Sequence, residues 1–268
     1  WAFEALAVHQ FKNNKYENQR IGKTTLYDVE KKLSASDFKQ GWYVPELKKR
    51  ATECINLMKM GNGKWEMENG KKETITDNLK LLKRELSKII LTSPTIQFKY
   101  LDKLDINNFN LQIADSLSKY IDRLKAYYIG VFSKADFRED IFLNKLQDTP
   151  EKEQRFRQMK LSYFNEELEE LVKNRRTKHR IIEYDGELLQ KFEPIYLEPG
   201  INRSKLDFRT HFYAPNKRFL GTLFDTLYFN ITIIWIMSII LYITLYFDTL
   251  KWVLDFFEKF KVGRLKTK

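Results

Sequence analysis

Residues 226–247 read TLYFNITIIWIMSIILYITLYF, an uncharged stretch of 22 residues near the C-terminal end of a 268-residue chain. As a helix rising 1.5 Å per residue it would be roughly 33 Å long, enough for a hydrocarbon core of about 30 Å. Twelve of its residues are Leu, Ile or Phe, and their insertion would contribute roughly −4 to −7 kcal/mol near the bilayer centre. Aromatic residues gather at both ends, where the membrane–water boundary would lie. The stretch predicts a transmembrane helix, and a buried helix of a soluble core is the alternative.

The basic residues on the two flanks of this stretch predict its orientation in a membrane. The last 21 residues carry six basic and three acidic side chains, whereas the 20 residues before Thr226 carry three basic ones. Because loops rich in Lys and Arg stay in the cytoplasm, we expect the C-terminus to be cytoplasmic and the bulk of the chain extracytoplasmic. The expected domains are an apolar interfacial helix at 1–16, an extracytoplasmic helical domain at 17–217, a transmembrane helix at 218–249 (core 226–247) and an amphipathic basic cytoplasmic tail at 250–268.

The region before the membrane helix is predicted to be mainly α. Apolar residues three or four apart predict helices at about 27–39, 45–60, 77–92 and 108–147. The longest of these carries a narrow heptad-like stripe from Leu111 to Ala135, which is typical of a helix–helix seam. The sequence Thr149-Pro150-Glu151 then has the features of a helix start, and this helix is expected to run to about Lys173. Two long helices joined so closely predict an antiparallel hairpin, formed for mutual packing or for a protein partner.

After this hairpin the chain changes character. Apolar residues on both sides of Asp185-Gly186 predict a small β-hairpin with a tight turn. Three prolines between positions 194 and 215 then predict an irregular lead-in to the membrane.

Composition and motifs exclude several classes of function. The net charge is +11, but no DNA- or RNA-binding motif accompanies it, so we expect no nucleic-acid partner. The densest basic run, residues 173–180, follows a Glu-rich helix and is interpreted as a solvated helix end. The single Cys54 excludes an intrachain disulfide, and the three histidines form no metal motif. No catalytic set, cofactor site or metal site is predicted in this chain.

The two ends of the chain together resemble a transporter family. The sequence WAFEAL at residues 1–6, with Trp1, Phe3, Glu4 and Leu6 as its interfacial motif, is followed by His9-Gln10-Phe11. This segment resembles the one after the fifth membrane helix of G-type (ABC-2-type) ATP-binding-cassette transporters. The later apolar helix and basic tail match that family's sixth helix and C-terminus in order. The intervening region is far longer than the family's external loop and lacks its paired cysteines, so it is similar to the inserted helical domain of some large bacterial members.

The resemblance implies a permease of the inner membrane whose remaining parts precede Trp1. Five membrane helices and a nucleotide-binding domain holding ATP and Mg would lie upstream, and the permease halves would form a dimer. Since the chain begins with Trp1 rather than Met, we expect a fragment or a processed product. Its partners would be the lipid bilayer, its own upstream domains and an extracytoplasmic protein.

Function is therefore expected to be that of an ATP-driven exporter. The alternatives are a single-span scaffold or adaptor whose helical hairpin binds a protein, and an enzyme with a scattered active site. Within the membrane helix, Asn230 and Ser238 are eight residues apart and so face the same way. They are predicted either to pack against neighbouring helices or to line a transport pathway.

Overall fold

A computed structural model describes residues 1–60, 69–93, 95–200, 210–247 and 251. This part of the chain is mainly helical, with short antiparallel hairpins. Its helices are α1 (Ala2–Lys12), α2 (Leu26–Phe38), α3 (Val44–Met60), α4 (Asn69–Thr92), α5 (Leu111–Leu146), α6 (Pro150–Tyr163), α7 (Glu166–Lys173) and α8 (Thr226–Tyr246). Its strands are β1 (Arg20–Ile21), β2 (Thr24–Thr25), β3 (Ile181–Tyr184), β4 (Glu187–Gln190), β5 (Asn216–Phe219) and β6 (Thr222–Asp225).

Two compact units make up the chain. One contains Trp1–Gln10 and Glu198–Lys268, and the other contains Phe11–Leu197. We call them the terminal unit and the helical unit. The expected domain limits at residues 16 and 217 therefore differ from the limits of the compact units, because the first ten residues fold with the C-terminal part of the chain.

The core of the helical unit forms where α3, α4 and α5 pack together. Its most deeply buried side chains are aliphatic or aromatic and follow the helical repeat that predicted these helices. They include Val44, Leu47, Ile75, Leu79, Leu82, Leu86, Leu117, Tyr120, Ile121 and Leu124. The predicted stripe on α5 is thus confirmed as a packing seam over its central part, whereas Leu111 at its start is exposed.

Helix limits were predicted closely where a cap marks them. Thr25 caps α2, and Asp28 three residues later completes a capping box by accepting from the Thr25 backbone. The predicted start at Asp77 is wrong, because α4 begins eight residues earlier at Asn69. Between α2 and α3, a π-helical turn at Lys39–Tyr43 spans the gap between the helices predicted at 27–39 and 45–60.

The helix predicted from Pro150 to Lys173 is two helices. α6 ends at Tyr163, and α7 restarts at Glu166 with Asn165 as its N-cap, whose side chain accepts from the backbone N–H of Leu168 at 3.0 Å. Phe164 in the break packs against Tyr16, with ring centroids 5.3 Å apart. Burying this ring favours the break over a continuous helix.

Of the two later hairpins, the sequence predicted the first but not the second. β3 and β4 pair around Asp185 and Gly186, both with positive φ, so the predicted hairpin is confirmed. β5 and β6 pair around Leu220 and Gly221, where an irregular lead-in was expected. Leu at a positive φ is uncommon, and Leu-Gly is not a typical hairpin signal, which is why the pattern did not predict it.

Among the described residues, α8 is the one helix long and apolar enough to cross a membrane. Its side chains are mostly exposed, as expected of a surface that faces lipid or other membrane helices. The predicted amphipathic tail at 250–268, apart from Lys251, lies outside the described residues.

Candidate functional site: a buried network around Glu4

A buried network in the terminal unit links α1 to α8. The carboxylate of Glu4 is 3% exposed and accepts from the Lys217 ammonium, from the backbone N–H of Tyr213 at 3.1 Å and from Asn230 Nδ2 at 2.9 Å. Lys217 also donates to the backbone carbonyl of His211 at 3.2 Å. Such a pair is tolerated away from water only when both ions have further hydrogen bonds, which this one has.

The helical repeat of α1 explains why Glu4 points inward. Ala5 and Val8 are buried on the same side of the helix as Glu4, whereas Phe3 and Leu6 are 62% and 64% exposed. Trp1 is also exposed, although its ring lies 6.4 Å from that of Phe229 at the start of α8. The predicted interfacial motif therefore divides into an outward apolar face and one inward carboxylate.

Asn230 and Ser238, the two polar residues predicted to pack or to line a pathway, have different surroundings in the structure. Asn230 is fully buried in the first turns of α8 and also donates to the backbone carbonyl of Trp1 at 3.1 Å. Ser238 is exposed and donates to the carbonyl of Ile234 in its own helix at 2.9 Å. Asn230 thus makes helix–helix contacts within the terminal unit, and Ser238 does not take part in them.

The start of α8 is fixed by two further bonds. Asp225 is the N-cap and accepts from the backbone N–H of Leu227 at 3.0 Å, while the hydroxyl of Thr226 donates to the carbonyl of Ala214 at 2.5 Å. Together with the Glu4 network, these bonds attach the first turn of α8 to the segment before it. The site is suited to holding two helices at a fixed angle rather than to chemistry on a substrate.

A second polar cluster lies in the helical unit. Lys173 is 4% exposed and bridges Glu30 on α2 at 3.2 Å and Glu169 on α7 at 2.7 Å. Tyr196 donates to Glu30. The prediction that the basic run from residue 173 is a solvated helix end is therefore wrong for Lys173, because partners distant in sequence surround it.

Glu17 is the unusual member of this cluster. It is fully buried, and neither of its carboxylate oxygens has a hydrogen-bond partner among the described residues. Burial, with smaller contributions from the Glu30 and Glu169 carboxylates and against the opposing effect of Lys173, raises the pKa of Glu17 from 4.5 to about 8. Burial likewise raises the pKa of Tyr196 well above its ordinary value, with Glu30 and Glu17 adding to the shift. The surroundings of Glu17 thus favour its neutral carboxylic acid form.

Other reactive groups are enclosed. Burial raises the pKa of the Cys54 thiol to about 12, so it is not a thiolate nucleophile. Within the described ranges, no three His, Cys, Asp or Glu side chains are grouped closely enough to hold a metal ion. Models of protein families, curated proteins and solved structures give no match to this chain.

Proposed function

We propose that this chain is the C-terminal part of the permease of an ATP-driven exporter. In this proposal α8 is the last membrane helix, α1 is the interfacial helix that follows the fifth, and Phe11–Leu197 is a domain inserted outside the cytoplasm. The observation that carries the proposal is the Glu4 network. It joins the motif at the start of the chain to the first turns of the membrane helix.

The division into compact units supports this proposal. Trp1–Gln10 folds with Glu198–Lys268, although the whole helical unit separates them in sequence. In the resembled family an external loop joins the helix after the fifth span to the sixth span, and a domain inserted in that loop would leave the two ends free to fold together.

Exposed apolar surface gives further support. Phe3 and Leu6 on α1 and Trp235 on α8 are each more than half exposed. Apolar patches of this kind mark membrane or protein contacts. In the proposal they contact lipid, the upstream membrane helices and a second permease half in the inner membrane. ATP and Mg would bind the upstream nucleotide-binding domain.

A membrane-anchored adaptor is the second candidate. Phe137 on α5 and Leu161 on α6 are 65% and 86% exposed, and a protein partner could cover them. This candidate has the helical unit bind a protein while α8 anchors it.

The coding sequence upstream of Trp1 distinguishes the two. The exporter proposal expects a Gly-x-x-x-x-Gly-Lys-Ser/Thr loop within an ATP-binding domain, followed by five apolar spans, in the same reading frame. The purified intact product should hydrolyse ATP. A gene that starts near Trp1 would contradict the exporter proposal and favour the adaptor.

A further inference from the structure

An open groove of about 650 Å³ lies in the helical unit between α2 and the C-terminal half of α5. The apolar part of its lining, here called the floor, includes Ile21, Val29, Val131, Ala135 and Phe142. The volume is in the range of roughly 300–1,000 Å³ that is typical of small-molecule sites.

The floor continues the stripe that forms the core seam. Val131 and Ala135 follow Leu124 and Tyr128 at the same helical spacing, and Phe142 comes two turns later. Leu124 and Tyr128 are buried, whereas Val131 and Ala135 are only partly covered. An apolar helix face thus extends beyond the helices that pack on its first half.

The charged part of the groove lining is basic. No carboxylate lines the groove, whereas five cationic side chains do. They are Lys32, Lys39, Lys134, Arg138 and Lys145. In the described part of the chain none of the five has an ion pair. Elsewhere on α5, by contrast, Lys119 pairs with Asp115 at 2.7 Å.

Lys39 is the most enclosed of these cations. Burial lowers its pKa, and its ammonium lies 5.2 Å from the centre of the Tyr128 ring rather than beside a carboxylate. Several like charges gathered around an apolar floor repel one another unless an anion neutralises them. The groove therefore combines an apolar surface with five basic side chains that have no ion pair among the described residues, and an anionic ligand would complement them.

We propose that this groove binds an anionic amphiphile with a single acyl chain, such as a long-chain carboxylate. The chain lies along Val131, Ala135 and Phe142, and the head group lies between Lys134 and Arg138. The inference does not depend on the transporter proposal. Because each methylene buried from water adds a similar free energy, affinity should rise about fourfold per methylene from laurate to palmitate.

Photo-crosslinking of the intact chain tests the proposal. The probe is a palmitate analogue with a diazirine in its acyl chain, added to protein in a neutral maltoside detergent, followed by proteolysis and mass spectrometry. We expect adducts on α2 and on residues 131–142 of α5. Palmitate should compete for these sites at least tenfold better than hexadecanol, which has the same chain without the charge. Adducts on α8 report the detergent background.

Charge reversal provides the variant. K134E/R138E should lower groove labelling at least tenfold and leave labelling of α8 unchanged. R123E/K125E is the matched control, since it makes the same charge change on exposed residues of the same helix outside the groove, and it should label normally. A135W keeps every charge but fills the floor, and it should also abolish groove labelling.

Three results would overturn the proposal. The first is that the groove is labelled equally in K134E/R138E and in the wild type. The second is that hexadecanol competes as well as palmitate, and the third is that labelling is confined to α8. The last result, together with binding of an acidic amphipathic peptide to the groove, would assign it to a protein segment instead. Thermal unfolding of each variant shows whether lost labelling reflects lost folding.

Discussion

At the residue scale, Glu17 is a carboxyl group whose ionisation opposes folding. In the native chain its pKa is about 8, chiefly because it is buried without a hydrogen-bond partner. In the unfolded chain the same group would titrate near its ordinary value of 4.5. Between these two values the native state holds one more proton than the unfolded state.

Stability linked to Glu17 should therefore fall as pH rises from about 4.5 to about 8 and level off above that. The slope can reach about 1.4 kcal/mol per pH unit. Glu17→Gln removes it, so this variant should match the wild type at pH 4 and be more stable than it at pH 8–9. The measurement is thermal unfolding of the detergent-solubilised chain from pH 4 to 9.

Glu73→Gln, at an exposed position of α4, is the control and should follow the wild-type pH profile. If Glu17→Gln also runs parallel to the wild type, Glu17 is ionised in the native state and the assignment is wrong.

Some of the buried polar residues could be predicted from the sequence and others could not. Asn230 could be singled out because a polar amide in an uncharged apolar run has few alternatives to a packing or pathway role. Glu17 and Lys173 could not, since each lies in a polar stretch typical of solvent-exposed chain. Their burial depends on α2 and α7, which are far apart in sequence, and no local pattern encodes that meeting.

At the scale of elements, the π-helical turn Lys39–Tyr43 is held by a bond to α4. The Tyr43 hydroxyl donates to Glu85 Oε2 at 2.7 Å. The other carboxylate oxygen of Glu85 accepts from Lys88 at 2.8 Å and from the backbone N–H of Leu188 on β4 at 3.1 Å. Glu85 is 2% exposed, so water cannot replace a lost partner.

Tyr43→Phe should lower the free energy of unfolding by about 1.5–3 kcal/mol, because it leaves a buried carboxylate oxygen without its donor. Tyr127→Phe, at an exposed position of α5, makes the same chemical change and should stay within about 0.5 kcal/mol of the wild type. Thermal unfolding of both variants at one pH measures the difference. Equal losses would mean that the bond does not hold the turn.

Elements were predictable in proportion to how local their determinants are. Capped, strongly periodic helices such as α2 and α5 were predicted to within a few residues. The π-helical turn, the break before α7 and the β5–β6 hairpin were not. The first two depend on tertiary contacts, Tyr43 with Glu85 and Phe164 with Tyr16, that override the local pattern, and the third has an uncommon Leu-Gly turn.

At the scale of the whole molecule, the Glu4 network bears on how the chain is oriented in a membrane. The positive-inside rule compares basic residues on the two flanks of α8. On the N-terminal flank Lys217 is buried and neutralised by Glu4, so it adds no free positive charge to that flank. The contrast with the six basic residues after Phe247 is therefore sharper than a count of side chains indicates.

We expect the C-terminus to be cytoplasmic. A reporter active only in the cytoplasm, fused after Lys268 of the full-length gene product, should be active, and an export-dependent reporter at the same position should be silent.

Replacing Lys259, Lys261, Arg264 and Lys266 with Gln should lower the signal of the cytoplasmic reporter, because it removes most of the charge that keeps this flank inside. The matched control replaces four exposed bases of the helical unit (Lys48, Lys119, Arg123 and Lys125) with Gln and should change nothing, since long domains cross regardless of charge. An export-dependent reporter that is active after Lys268 in the unsubstituted protein would reverse the orientation, and the helical unit would then face the cytoplasm.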